Sequence, residues 1–419
     1  MRILFLTPQL PYPPHQGTTI RNYNLIANLA SRHEIHLLSF VRSQDEIDRA
    51  TPLHQHCRSI EAVLAPHRSP LNRFLSLFLS PLPDMALRLP SAEFKTKLAA
   101  ALQRVPFDVV QVEGIEMGPY LEVAADSRKQ EAAKGQPLLV FDDHNAEYVL
   151  QQRAFETDVR QARHWVGALY SFIQYKKLSR YEAMVCRLAD RVVAVSEADK
   201  RALQRLVPGL EATVVPNGVD TEFYDDQFPN PNDKSRFGHW DLEIGISSLV
   251  FTGKMDFRPN VDAVLWFCQE VLPLVRRKMP DVHLYIVGQS PHRRVLRLAD
   301  DPAVTVTGYV DDVRPYIAGA CVYVVPLRIG GGTRLKVLEA MSMGKPIVST
   351  SLGCEGFEGL VPGRELSLAD TPEEFAQRVI ELLSDVSRRE RLGRAARRFV
   401  EEQYDWRLIV PKLEQIYEK

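Results

Sequence analysis

A chain of 419 residues, 45% apolar and 25% charged, has ordinary globular composition and is too long for one typical core, so two domains of about 200 residues are expected. A formal net charge of −1 argues against a nucleic-acid binder, and no run of about 18 apolar residues exists to span a membrane. Five scattered cysteines without a C-x-x-C pair point to reduced, packing thiols in a cytoplasmic protein rather than a disulfide frame or a zinc site.

The chain opens on "RILFLT", an apolar run read as a first strand and too short for the core of a signal peptide. The loop in "TPQLPYPPHQGTTIRNYN" then brings Gly17 to the start of a helix and is long for an ordinary strand-to-helix turn. Further strand candidates follow at "EIHLLSF", "DVVQVEG", "PLLVFDD" and "RVVAVS", with helical patterns such as "RNYNLIANLASR" and "EFKTKLAAALQRV" between them. The apolar stretch "SPLNRFLSLFLSPLPDMALRL" is expected to be a buried helix of the first domain. Peripheral contact with the inner membrane face is the alternative, suited to an acceptor on a lipid carrier.

The Pro-, Asn- and Asp-rich segment Tyr224 to Asp241 reads as a linker. Beyond it the rhythm restarts with "SLVFTGK", "VHLYIVG", "VTVTGYV", "VYVVPL" and "KPIVST", joined by helices such as "VDAVLWFCQEVLPLVRRK" and "EEFAQRVIELLSDV". The basic helix "RRERLGRAARRF" is expected to present a solvated face. Strand–helix alternation of this kind predicts an α/β protein of two doubly wound Rossmann-like domains facing across a cleft.

Ligands in such sheets bind beyond the carboxyl ends of the strands, and unusual residues stand there in both halves. In "RIGGGTRLKVLEA", a glycine-rich loop enters a helix, offering free amides and the positive end of a dipole to an anion. The dipole contributes about 0.3–1 kcal/mol, so the cations Arg334 and Lys336 matter as well. Lys336 and Glu339 share a helix face, where a plain surface ion pair is the bland alternative. Thr333 could also simply cap the helix. "FTGKMDFRPN" is a second anion candidate, with Gly253 for close approach and Lys254 and Arg258 for charge. In the first half, "FDDHNAEY" places His144 at a strand end amid Asp142, Asp143, Asn145 and Glu147. It could hydrogen-bond a polar substrate or act as acid or base, whereas metal binding lacks a second nearby histidine.

Seven stretches in order resemble the retaining GT-B glycosyltransferases of family 4: "QGTTIRNYNLIANLA", "DDHNAEY", "ADRVVAVSEADK", "VVPNGVDTEF", "FTGKMDFRPN", "GYVDDVRPYIAGA" and "GGGTRLKVLEAMSMGKPIVST". The resemblance implies an N-terminal acceptor-binding domain over 1–220, a linker over 221–245, a nucleotide-sugar domain over 246–401, and a helix over 402–419 crossing back to the first domain. It implies that Glu339 holds the donor ribose and Lys254 the diphosphate. Gly17 would approach the donor phosphate, His144 would contact the donor hexose, and backbone near Tyr309 and Val310 would hold the base. The co-substrate is then a nucleoside-diphosphate sugar and the acceptor a saccharide or lipid-linked saccharide, with no other cofactor. The likeness extends to sugar transferases of bacterial exopolysaccharide clusters.

Two positions depart from the family pattern. Gly331 stands where an E-x7-E motif would put a carboxylate, and Asn260 stands near the expected second basic ligand. The expectation is that amides of the Gly330–Thr333 loop, Gly331 and Gly332 included, cradle diphosphate and sugar. Arg334, Lys336 or Arg258 would supply the missing charge. The chain has no D-x-D, so metal-independent catalysis is expected, with retention by same-face attack. A donor-binding scaffold without chemistry, favoured by Gly331, and a nucleotide-sugar epimerase are the alternatives.

Overall fold

The computed structural model describes residues 1–43, 45–48, 51–130, 136–159, 165–225, 247–330 and 332–418. Gly331 and most of the expected linker lie outside the described residues. The chain forms two compact units, Met1–Pro216 with Ile409–Lys419 and Asn217–Leu408.

The first unit holds seven strands: β1 (Arg2–Thr7), β2 (Glu34–Val41), β3 (Ser59–Leu64), β4 (Val109–Glu113), β5 (Leu138–Asp143), β6 (Arg191–Ala194) and β7 (Ala212–Val214). They form one sheet in the order β3-β2-β1-β4-β5-β6-β7, parallel throughout. β1, β2, β4 and β5 are near-continuous apolar runs because helices cover both faces of a parallel sheet. β3 and β7 lie at the two edges and carry partly exposed side chains, so their apolar signal is weak. The last turns of the chain belong to this unit. Ile409, Val410, Leu413 and Ile416 are buried, Glu414 pairs with Arg32 and His33 at 2.7 Å, and Tyr417 Oη donates to Gln111 Oε1 at 3.2 Å.

The expected burial of the apolar stretch Ser69 to Leu89 does not hold for its helix. The helix Pro70–Leu79 forms, but it is not buried: Leu71, Phe74, Leu75, Phe78 and Leu79 are exposed and only Leu77 turns inward. Its apolar spacing is that of a core-facing helix, which is why sequence alone favours burial.

The second unit holds β8 (Ser248–Thr252), β9 (His283–Val287), β10 (Val304–Gly308), β11 (Val322–Val325), β12 (Ile347–Ser349) and β13 (Ser367–Leu368) in the parallel order β10-β9-β8-β11-β12-β13. Strand order reverses direction at β1/β4 in one unit and at β8/β11 in the other, and each such point opens a crevice at the carboxyl ends. The basic helix Val386–Gln403 has the expected two faces. Leu392, Ala396, Phe399 and Val400 are buried, while Arg388, Arg394 and Arg397 pair with Glu381, Glu390 and Glu401.

That helix crosses the end of the helix Leu335–Ser342 at a glycine contact. A Cβ on Gly393 would lie 1.9 Å from Gly344 O. Glycine-to-alanine in a helix interior ordinarily stabilises by about 1 kcal/mol. Gly393→Ala is predicted instead to destabilise the fold by about 1–3 kcal/mol, because backbone must move to admit the methyl. A urea melt gives the sign.

Candidate functional site

In the second unit, β8 and β11 lie side by side, with Val322 opposite Leu249 and Tyr323 opposite Val250, so the loops after them leave the sheet together. After β8 comes Gly253, whose φ of 150° favours glycine and whose surroundings require it. A Cβ there would lie 2.7 Å from Lys336 Nζ and 2.8 Å from Asn260 Nδ2. The neighbouring strand end is equally tight, since a Cβ on Gly288 would meet Gly253 O at 1.8 Å. Lys254 is exposed and 3.5 Å from Asp256, and Arg258 opens the helix Arg258–Trp266. After β11, Gly330 and Gly332 have φ of 117° and 74°, and the chain then turns through Thr333 and Arg334 into the helix Leu335–Ser342. Thr333 Oγ1 is buried and has no hydrogen-bond partner among the described residues.

Lys336 joins the two loops. Its ammonium donates to Asn260 Oδ1 at 2.8 Å and stands 3.9 Å over the Phe251 ring, while Asn260 Nδ2 donates to Lys254 O at 2.9 Å. Burial pushes the Lys336 ammonium down to about 7, Arg334 pushes the same way, and Glu339 opposes. Lys336 is thus a cation held half-desolvated at the strand switch. Asn260, which departs from the family's basic residue, is the side chain that holds Lys336 there.

Glu339 lies one turn further along the same helix. Burial raises its carboxyl above the usual range, against a hydrogen bond from Tyr224 and the charge of Lys336. Tyr224 is itself placed by its neighbours. Arg397 Nη1 donates to Tyr224 O at 3.0 Å, Arg314 Nη1 donates to Phe223 O at 3.0 Å, and the Arg314 guanidinium lies 3.9 Å over the Phe223 ring. Tyr309 is exposed and Val310 partly buried in the loop after β10, where Gly308 has a φ of 71°.

In the first unit, His144 follows β5 and meets Glu113 at the end of β4, with Nε2 2.7 Å from Glu113 Oε2. Gly114, with φ 84°, brings the backbone against the imidazole: a Cβ there would be 3.6 Å from His144 Nδ1. Glu113 Oε1 accepts from Gln111 Nε2 at 3.0 Å, and Oε2 lies 2.8 Å from the Asn22 amide nitrogen once that amide is turned to donate. Burial lowers the His144 pKa, but the hydrogen bond and charge of Glu113 outweigh it and hold the imidazole above its ordinary value. Next to them Arg21, almost wholly buried, grips Asp142 Oδ2 through Nε at 3.0 Å and Nη2 at 2.7 Å. Burial lifts Asp142 to about 6 against the pull of Arg21. One ligand atom from each of Glu113, Asp142 and His144 lies within 4.8 Å of the others, a spacing that could hold a cation. Its two carboxylates already have partners, Asp142 in Arg21 and Glu113 in His144.

A second group of acids lies behind. Asp143 is buried, its pKa pushed well up first by burial and then by Glu182. Glu182, raised to about 7 by burial, accepts from the amides of Glu147 at 2.8 Å and Tyr148 at 3.0 Å. Glu147 is raised to about 8, first by burial and then by Glu116 and Glu182. Burial thus raises both the Asp143 and the Glu147 carboxyls, and it is Glu182 that holds the start of the helix Glu147–Val159 through those two amides. Gly17 is the first, exposed residue of the helix Gly17–Leu29, whose start is fixed by Gln16 N donating to Thr19 Oγ1 at 3.0 Å.

The structure thus brings together Gly253, Asn260, Lys336 and Phe251 in one unit and His144 and Asp142 in the other. Sequence reasoning missed Arg21, Glu113 and Tyr224. Glu113 stands at a strand end, the same signal that marked His144. Arg21 and Tyr224 carry no local signal, since their partners are 121 and 115 residues away. Glu113→Gln is predicted to lower the His144 pKa by about one pH unit or more, followed by imidazole C–H chemical shifts. A folded pKa above about 6.5 means that this pair's stabilisation is full below that pH and fades as pH rises through the folded value. The variant removes that dependence.

Residues 16–223 match the Glycosyltransferase Family 4 model and residues 247–385 the Glycosyl transferases group 1 model, which together take in most of the chain. An uncharacterized 44.6 kDa protein in the cps region of Klebsiella pneumoniae is 28% identical over 166 residues, covering 38% of this chain and 42% of that protein's length. Among solved structures, HepE of Anabaena in complex with UDP aligns over 100% of both chains at 16% identity with a TM-score of 0.68. Sucrose-phosphate synthase from Thermosynechococcus elongatus aligns over 100% of this chain and 98% of its own at 17% identity with a TM-score of 0.72. At such identities these structures speak to the fold alone. With two parallel-sheet Rossmann-like units of this fold and both halves matched, the chain belongs to the group 1, family 4 glycosyltransferases.

Proposed function

We propose that the protein transfers a sugar from a nucleoside-diphosphate sugar to an acceptor hydroxyl, with retention at the anomeric carbon and without a divalent metal. The observation that carries this reading is the single helix on which Lys336 and Glu339 stand behind a glycine-rich loop at the β8/β11 switch. In this reading Glu339 accepts from the donor ribose hydroxyls, a contact of about 1.5–3 kcal/mol for a charged acceptor. Backbone at Tyr309 and Val310 receives the base. The amides of the Gly330–Thr333 loop, with Gly331 and Gly332, cradle the diphosphate and sugar together with Lys254, Arg258, Arg334 and Lys336.

The chemistry breaks the bond between the anomeric carbon and a phosphate oxygen and forms one to the acceptor oxygen on the same face. The acceptor proton passes to the departing phosphate oxygen. Negative charge grows on the diphosphate along this path, so positioned N–H groups and cations stabilise the transition state more than the ground state. The first unit takes the acceptor. Gly17 approaches the phosphate, and His144, oriented by Glu113, donates to a hexose hydroxyl. The lack of D-x-D supports metal independence, and the likeness to a cps-region protein supports a role in cytoplasmic polysaccharide or glycoconjugate assembly.

A thermal-shift panel with UDP, GDP and ADP, each with and without EDTA, tests the donor site. One diphosphate at about 100 times its dissociation constant is predicted to stabilise the fold by about 2.7 kcal/mol, unchanged by EDTA and lost in Glu339→Ala. An EDTA-sensitive shift, or none in any arm, overturns the reading. Retention is checked separately by the anomeric proton coupling of the first-formed product.

Lys336 adds a pH signature. A diphosphate favours its ammonium form, so binding above about pH 7 is predicted to take up a proton, and affinity falls as pH rises through that value. Calorimetry in buffers of different ionisation enthalpy measures the uptake, which Lys336→Met abolishes.

A further inference from the structure

The helix Pro70–Leu79 is laid down inside-out. Leu71, Phe74, Leu75, Phe78 and Leu79 recur at the i, i+3, i+4, i+7, i+8 spacing of one helix face, yet that face is the one exposed. Exposures are 66% at Leu71, 62% at Phe74, 60% at Phe78 and 79% at Leu79. Phe74 and Phe78 stack edge to face, 5.6 Å between ring centroids.

The polar side is the one tied to the protein. Lys177, on the helix Trp165–Leu188, donates to the carbonyls of Ser76 at 3.2 Å, Leu77 at 2.7 Å and Ser80 at 2.6 Å, closing the C-terminal end of the helix. Arg68 bonds Ser76 Oγ and pairs with Asp84 at 2.6 Å, and Arg73 reaches Asp84 at 3.2 Å. Arg73 also hydrogen-bonds Tyr170. The helix is thus anchored by polar contacts and offers hydrocarbon outward. Its flank carries the cations Arg68, Arg73 and Lys177, the first two sharing the carboxylate of Asp84.

We propose that this helix lies in the surface of an anionic lipid bilayer, with Leu71, Phe74, Leu75, Phe78 and Leu79 in the acyl region and the half-exposed Arg73 at the headgroups. An amphipathic helix with an apolar face and a cationic flank is what such an interface selects. Among the described residues no helix is long and apolar enough to cross a membrane, so contact is peripheral. The proposal stands apart from the sugar-transfer reading, because it concerns one face of the first unit and is read with lipid rather than donor.

Flotation with vesicles of equal parts phosphatidylglycerol and phosphatidylcholine tests it on the full chain. The protein is expected to float with these vesicles and less with phosphatidylcholine alone. Phe74→Glu/Phe78→Glu is expected to reduce partitioning at least about tenfold, from the apolar area lost to the bilayer. Leu71→Ser/Leu79→Ser provides a second, milder pair should the first misfold, and both pairs should keep the parent's circular dichroism and thermal midpoint. The proposal is overturned if the parent chain does not float, or if neither pair changes flotation. It is also overturned if the parent self-associates, vesicles capture none of it, and the substitutions release monomer, since the face then serves a second copy of the chain.

Discussion

An ammonium group crowded into a corner made of backbone governs the second unit. Lys336 Nζ fits only because Gly253 has no side chain, and its position is set by Asn260 Oδ1 at 2.8 Å and the Phe251 ring at 3.9 Å. Gly253 keeps its conformation because Gly288 lets the next strand end approach its carbonyl. Two glycines, one amide and one aromatic ring therefore hold a cation partly out of water, where its charge is costly until an anion arrives. Glu339, on the same helix, is raised by the same burial and steadied by Tyr224. In the proposed reading, the spacing between the phosphate contact and the hydroxyl contact is then set by one helical turn.

The first unit uses the same topology with the opposite charge. Its strand ends carry Glu113, Asp142 and Asp143, and the surroundings treat each differently: an imidazole hydrogen-bonds Glu113, a guanidinium grips Asp142, and burial pushes the Asp143 pKa well up. Buried carboxylates left as bare anions would be very costly. What is left facing the strand ends is an oriented histidine, a donor suited to a neutral, hydroxyl-rich ligand.

Much of this was legible in the sequence. The parallel sheets followed from apolar runs alternating with helical patterns, and the sites from asking what stands after each strand. The edge strands β3 and β7 were not legible, because half-exposed edges lack a continuous apolar signature. Neither were Arg21 and Tyr224, whose importance lies in partners more than a hundred residues away. The helix Pro70–Leu79 shows the limit from the other side. Periodicity finds the apolar face, but only the fold shows which way that face points. Likewise Asn260 read as a lost charge in one dimension. In three it seats an ammonium from 76 residues further on, which the proposed reading takes as the replacement.

If Lys336 supplies that charge, a cation moved to position 260 should serve in its place. Nucleoside-diphosphate binding would be measured by thermal shift in the parent chain, in Lys336→Met and in Asn260→Lys/Lys336→Met. The account predicts loss of the shift in the single variant and its recovery when the cation is supplied from position 260. A single variant that binds as tightly as the parent would contradict it.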